Sequence, residues 1–200
     1  MVMLDLNELG HGANPGISAA KGAELAEAAA VCMEEQGHIQ GIEMAVRGLI
    51  QQNHRLDWTP VTRQAHRTWD DNDEATEDGA ACIAALIANH DIGQTVIIRA
   101  RKSTPQQPTG FDYWLGDNDT DTVSDAERAA TRSLSSLLAE ENLIARMRLE
   151  VSGIRNGDDS VVAARVRRKV RQIGRSNALG LPAYVVVVEF GRPIAEVREA

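Results

Sequence analysis

Hydrophobic positions along this chain follow two periods, and the change between them marks out the elements. Ser18 can cap an Ala/Glu-rich helix that the pattern carries to Glu35, with Gly37 placed to stop it. From Ile39 to Val46 the period drops to two. Ile42, Met44 and Val46 alternate with Glu43, Ala45 and Arg47, as in a half-buried strand. Thr59 and Pro60 open a short helix to about Trp69. The acidic stretch Asp70-Asp71-Asn72-Asp73 is a loop whose last Asp can cap the next helix. That helix, Glu74 to about Asn89, puts Ala80, Ile83, Ala84 and Ile87 on one face. Residues 1–16, with three glycines and one proline, read as a loose leader.

The second half favours strands. Gln94 to Arg101 is rich in β-branched residues, Thr104 to Pro108 holds two prolines and turns, and Gly110 to Leu115 (GFDYWL) is aromatic and strand-like. Ser124 with Glu127 forms a capping box for a helix to about Glu141, with Leu134, Leu137 and Leu138 inward. Ile144 to Ile154 alternates, with Met147, Leu149 and Val151 facing one way and Arg148, Glu150 and Ser152 the other. Asp158 or Asp159 starts a helix with an apolar stripe of Val162, Val166, Val170 and Ile173. Ala183 to Phe190 (AYVVVVEF) has an unbroken apolar centre, the mark of a strand buried on both faces. The expected architecture is therefore α/β in a single domain. Residues 1–72 form an N-terminal helix/strand elaboration. Residues 73–190 form a mixed sheet with an αβββαβ core, interrupted by a helical insert at 117–142.

Composition narrows the class. The chain has 200 residues, enough for one sizeable core, and no run approaches the ~20 apolar residues of a membrane span. The first twenty residues lack the basic start of a secretory signal, so a cytoplasmic setting is expected. Cys32 and Cys82 each sit in Ala-rich helical runs and read as small buried apolar residues in a reducing compartment. The net charge of -8 argues against coating nucleic acid through overall charge. Its distribution is uneven, however. Arg165, Arg167, Arg168, Lys169, Arg171 and Arg175 form a ridge without acids, compatible with nucleic-acid contact, with protein docking, or with an ordinary solvated helix face.

Three acids fall at informative places: Glu77 near the start of a helix, Asp112 in the aromatic strand, and Glu150 beside Ser152 in the long alternating strand. Converging carboxylates are what a Mg²⁺ or Mn²⁺ ion takes. The element order, Asp112 in GFDYWLG, and Glu150-Val151-Ser152 resemble the core of the PD-(D/E)XK, or restriction-endonuclease-like, nuclease superfamily over about residues 73–190. The resemblance implies metal ligands at Asp112 and Glu150, joined by Glu77. It implies supporting catalytic residues at Lys169, Gln172 and Ser152, and DNA contacts from Arg165, Arg168, Arg171 and Arg175. It also implies hydrolysis of DNA phosphodiesters, as in bacterial defence, with a protein partner or second copy. The triplet ends in Ser152 where the family has lysine. Lys169, one of only three lysines with Lys21 and Lys102, sits on the following helix as a substitute. The alternative is a nuclease-fold subunit without activity, serving as a scaffold or adaptor.

Plainer readings stand beside these. Glu150 and Ser152 would look the same on a solvent-facing strand edge, and Glu77 would favour a helix N-terminus through the dipole. Asp112 is harder to explain, since Asp is depleted in strands. Asp117 to Asp121 resembles the start of an EF-hand loop but has Thr122 and Arg128 where glycine and glutamate are required. The histidines at 11, 38, 54, 66 and 90 lack metal-ligand spacing.

Overall fold

The computed structural model describes residues 2–12, 14–100, 110–117, 123–134, 138, 142–175 and 180–200. Its helices are α1 (Ala19–Glu35), α2 (Arg63–Thr68), α3 (Asn72–Ile87), α4 (Asp125–Leu134) and α5 (Asp159–Gly174). Its strands are β1 (Val2–Asp5), β2 (Glu43–Gly48), β3 (Gln52–Asp57), β4 (Thr95–Arg99), β5 (Tyr113–Asp117), β6 (Ile144–Ile154), β7 (Ala183–Glu189) and β8 (Ile194–Glu199). All eight strands join one mixed sheet in the order β1-β3-β2-β8-β7-β6-β5-β4. Strands β6 and β7 are parallel and joined through α5; β5 is antiparallel to β4 and β6, and β8 is antiparallel to β7 and parallel to β2.

The sheet is strongly curled. Flat, its edge strands would lie roughly 34 Å apart at about 4.8 Å per strand. Yet Asn14, nine residues after Asp5 at the end of β1, accepts through its side chain from the Val96 N–H of β4 at 2.8 Å. Most of that connection is the 3-10 helix Leu6–His11, so it reaches at most roughly 23 Å. The edges therefore approach each other. The contact of His54 in β3 with Asp91, just before β4, at 2.9 Å agrees with this.

Helices α1 and α3 fill the concave face. Their side chains share one buried cluster with Leu4, Leu56, Leu115, Leu149, Val186 and Val188. Helix α5 covers the other face through Val162, Val166 and Ile173, packed in a cluster with Val185 and Val187. The valine run of β7 is thus divided residue by residue between two cores, which is why it shows no polar alternation. The strand is internal, between β8 and β6. Helix α3 lies so close to β6 that a Cβ on Gly153 would meet the Thr76 carbonyl oxygen at 2.3 Å.

Several expectations are corrected. Residues 2–11 are no loose leader, because Leu4, Leu6 and Leu9 are fully buried in β1 and the 3-10 helix. Helix α2 begins at Thr62, whose hydroxyl accepts from the Ala65 N–H, rather than at Thr59. Asp71, not Asp73, caps α3 by accepting from two backbone N–H groups. Strands β3 and β8 had no expectation, since QNHRLD and IAEVRE carry a weak apolar signal and one inward position of β3 is the fully buried His54. The capping box holds: the Ser124 hydroxyl accepts from the Glu127 N–H, and Glu127 Oε2 accepts from the Ser124 N–H. Of the inward leucines, Leu138 is buried and Leu134 half-buried. Leu137, the turn at 104–108, most of the loop 117–122 and Lys102 lie outside the described residues. Cys32 and Cys82 are buried free thiols.

Candidate active site at the open end of β6

Strand β6 is longer than its neighbour β5. Pairing with β5 ends at Tyr113 opposite Leu149, while β6 runs on beside β7 to Ile154. The backbone donors on its free side then need partners. Asp112, at the bend before β5, supplies one: its Oδ2 accepts from the Val151 N–H at 2.8 Å. Its own backbone is held on both sides, the N–H donating to the Leu149 carbonyl at 2.9 Å and the carbonyl accepting from Ala100 at 2.8 Å. The expectation of a strand Asp is thus corrected slightly. Asp112 sits just outside β5, and its carboxylate occupies the place of the missing strand.

Glu150 lies beside it and is 1% exposed, so the reading of a solvent-facing strand edge does not hold. Arg148 and Ser152 on the same face are also buried, beneath α5. Glu150 Oε1 accepts from the Lys169 ammonium in an ion pair and from Gln172 Nε2 at 3.2 Å. The Asp112 carboxylate is near enough for its charge to act on that of Glu150. Burial first, and the Asp112 charge second, push the Glu150 carboxyl up to about 7; Lys169 pulls in the other direction.

Ser152, one alternation further along β6, accepts from Arg165 Nη1 at 2.7 Å, and the same Nη1 donates to the Gly153 carbonyl at 3.0 Å. A guanidinium from α5 therefore lies at the third triplet position. This contact was not foreseen, because Arg165 was grouped with the exposed ridge; its half-buried position follows from its place beside the apolar stripe. Arg168, Arg171 and Arg175 are exposed, as expected of a ridge.

Glu77 is the correction at this site. It is exposed on α3, where its charge acts on Arg165. Among the described residues no group of three or more His, Cys, Asp or Glu is placed to hold a metal ion. The carboxylates that meet are the pair Asp112 and Glu150. Sequence reasoning also missed a contribution from α1. Lys21 pairs with Asp78 at 2.7 Å, and the charges of Lys21, Asp78, Arg99 and Asp112 all act on the buried Tyr113 phenol, which burial pushes up. The scarcity of lysine in the chain was the one available signal.

Other candidate ligands are engaged elsewhere. Asp117 accepts from Arg146 Nε at 2.9 Å and Glu127 from Arg146 Nη1 at 3.0 Å, a structural cluster rather than the start of a calcium loop. His54, His66 and His90 each face carboxylates, and His38 faces the Phe190 carbonyl. Among the described residues no helix is long and apolar enough to cross a membrane. No protein-family model matches the chain, and neither a curated protein nor a solved structure matches it.

Proposed function

We propose that the chain is a metal-dependent nuclease hydrolysing DNA phosphodiesters, built on a restriction-endonuclease-like core. The observation that carries this reading is the buried Glu150 carboxyl, held between Asp112 and Lys169 at the open end of β6. The run α3-β4-β5-β6-α5-β7 follows the αβββαβ order, with α4 as the insert before β6. Two neighbouring carboxyls, one raised by burial and then by the other's charge, form an oxygen donor set that suits Mg²⁺ or Mn²⁺. Asp112 and Glu150 would hold the ion. When bound, it supplies a water of lowered pKa and offsets charge developing on phosphate.

The residues of the chain divide the remaining work. Asp112 is fixed by its backbone bonds and by Val151, so its carboxylate is aimed before substrate arrives. Lys169 and Gln172 orient Glu150, and the Lys169 charge favours its ionised form. Arg168, Arg171 and Arg175 offer exposed cations along α5 to a nucleic-acid backbone. A cytoplasmic, bacterial-defence setting and a protein partner or second copy belong to the same reading.

One observation favours a second reading, that of an inactive nuclease-fold scaffold. The third triplet position is Ser152, and its hydroxyl is occupied by Arg165. The discriminating experiment is Mg²⁺- or Mn²⁺-dependent cleavage of DNA by wild type, Asp112→Ala and Lys169→Ala, each checked for folding. Loss of cleavage in both variants supports the nuclease. If Asp112→Ala is inactive and Lys169→Ala is unimpaired, the metal site stands and the substitute lysine falls. Wild type that cleaves nothing, alone or with its natural partners, leaves the scaffold.

A further inference from the structure

Arg165 differs from every other arginine on α5. It is half-buried, and only its Nη1 is bonded, to Ser152 and the Gly153 carbonyl. Among the described residues its Nη2 and Nε have no hydrogen-bond partner, and no carboxylate forms an ion pair with it. Its guanidinium is thus fixed at one corner and open along the rest of its donor fork. Glu150 lies on the same face of β6 at about 7 Å along the strand, so the open donors border the carboxylate pair. Arg168 follows three residues on, the spacing that stacks side chains on one helix face, and it is exposed without an ion-pair partner among the described residues. Burial and the Arg168 charge both work against the Arg165 charge, and Glu77 and Asp73 offset them through space without contact. Two adjacent cations with free donors and no bound carboxylate offer a place for an anion. A planar fork matches the paired oxygens of phosphate.

We infer that Arg165, locked by Ser152 and aided by Arg168, forms a subsite for one phosphate of a nucleic-acid backbone beside the Asp112–Glu150 pair. This deepens the nuclease reading and rests on it for the choice of nucleic acid as the source of phosphate. Ser152 is a positioning residue here, acting through Arg165. The subsite gives the serine at the third triplet position a role in holding substrate in register with the carboxyls.

The test is binding of a fluorescein-labelled DNA duplex to the full chain in EDTA, by anisotropy over a range of salt. The variants are Arg165→Ala, Arg168→Ala, Ser152→Ala, the double variant Ser152→Ala/Arg165→Ala, and Arg67→Ala. Arg67 is exposed on α2, which packs on α1 at the other face of the sheet, and serves as the control. Arg165→Ala and Arg168→Ala are expected to weaken binding about 10-fold each and to lower the salt slope by about 1. Arg67→Ala should stay within about twofold. Ser152→Ala should weaken binding about threefold, and this effect should vanish once Arg165 is gone, since it acts through that side chain. Equal losses at Arg165 and Arg67, independent effects of Ser152 and Arg165, or no binding by wild type would each overturn the subsite. Because no metal is present, cleavage plays no part. A wild type that binds in this pattern but never cleaves sinks the nuclease reading alone, and one that cleaves with an indifferent Arg165 sinks the subsite alone.

Discussion

Replacing Glu150 by Gln should make the metal-free protein more stable at neutral and alkaline pH, though it removes a residue of the candidate site. Glu150 is 1% exposed, and its carboxyl is raised from 4.5 to about 7 by burial and by the Asp112 charge. At about 1.4 kcal/mol per tenfold change in proton affinity, ionising it in the folded state costs about 3 kcal/mol more than in the unfolded chain. The folded value lies above the unfolded one, so the group's favourable contribution is complete below 4.5. It is lost as pH rises from 4.5 to about 7 and is constant above that. Glutamine keeps a carbonyl oxygen to accept from Lys169 and Gln172 but carries no charge. Lys169 loses its ionic partner, yet its side chain is 18% exposed and can turn toward water. The expected gain is therefore somewhat below 3 kcal/mol at about pH 8 and near zero at about pH 4.5. Urea denaturation in EDTA, followed by circular dichroism across this range, measures the difference between variant and wild type. A gap that does not widen with pH, or a variant less stable at about pH 8, would refute the account of Glu150 as a strained charge. Adding Mg²⁺ should then stabilise wild type at that pH and leave Glu150→Gln unmoved, because only a ligand that binds the native state shifts the equilibrium.

Other outcomes follow from the same structure. Val186→Asp places an unpaired charge at a fully buried position in an internal strand; it should cost about 4 kcal/mol or more, and a soluble variant with an unchanged thermal midpoint would contradict the central placement of β7. Glu189 is fully buried and accepts from the backbone N–H groups of Gly157, Gly191 and Arg192. Glu189→Ala should lose about 3 kcal/mol or more in urea denaturation by orphaning those donors, and a loss under about 1 kcal/mol would show that water replaces them. Burial pushes the Cys32 thiol up to about 11 and raises Cys82 as well, so both should resist a thiol reagent at neutral pH until the protein unfolds; rapid labelling of either in the native state would show that the concave core opens.

What the sequence determined by itself was set by local chemistry and by patterns long enough to be unambiguous. The two-sided burial of Val185 to Val188, the stripe of Val162, Val166 and Ile173, and the capping box at Ser124 and Glu127 all follow from side-chain periodicity and cap geometry, which need only neighbouring residues. Asp112 stood out because an Asp beside a strand needs a reason, and its reason is the Val151 N–H. The tertiary structure alone decided the rest. Strand β1 pairs only with β3 and the parallel partner of β8 is the distant β2, and the short, weakly apolar sequences of β1, β3 and β8 carry no period by which to find them. The curl of the sheet, which turns residues 2–11 from a leader into core, depends on eight strands closing around α1 and α3. The same closure settles which charges meet. Lys169 reaches Glu150 and Arg165 reaches Ser152 because α5 lies flat on β6 and β7, whereas Glu77, on the opposite face and exposed, stays apart from the carboxylate pair. Spacing along a sequence identifies residues of suitable chemistry. Contact between them depends on the packing of helices against the sheet, and that is set by the sum of all the apolar faces at once.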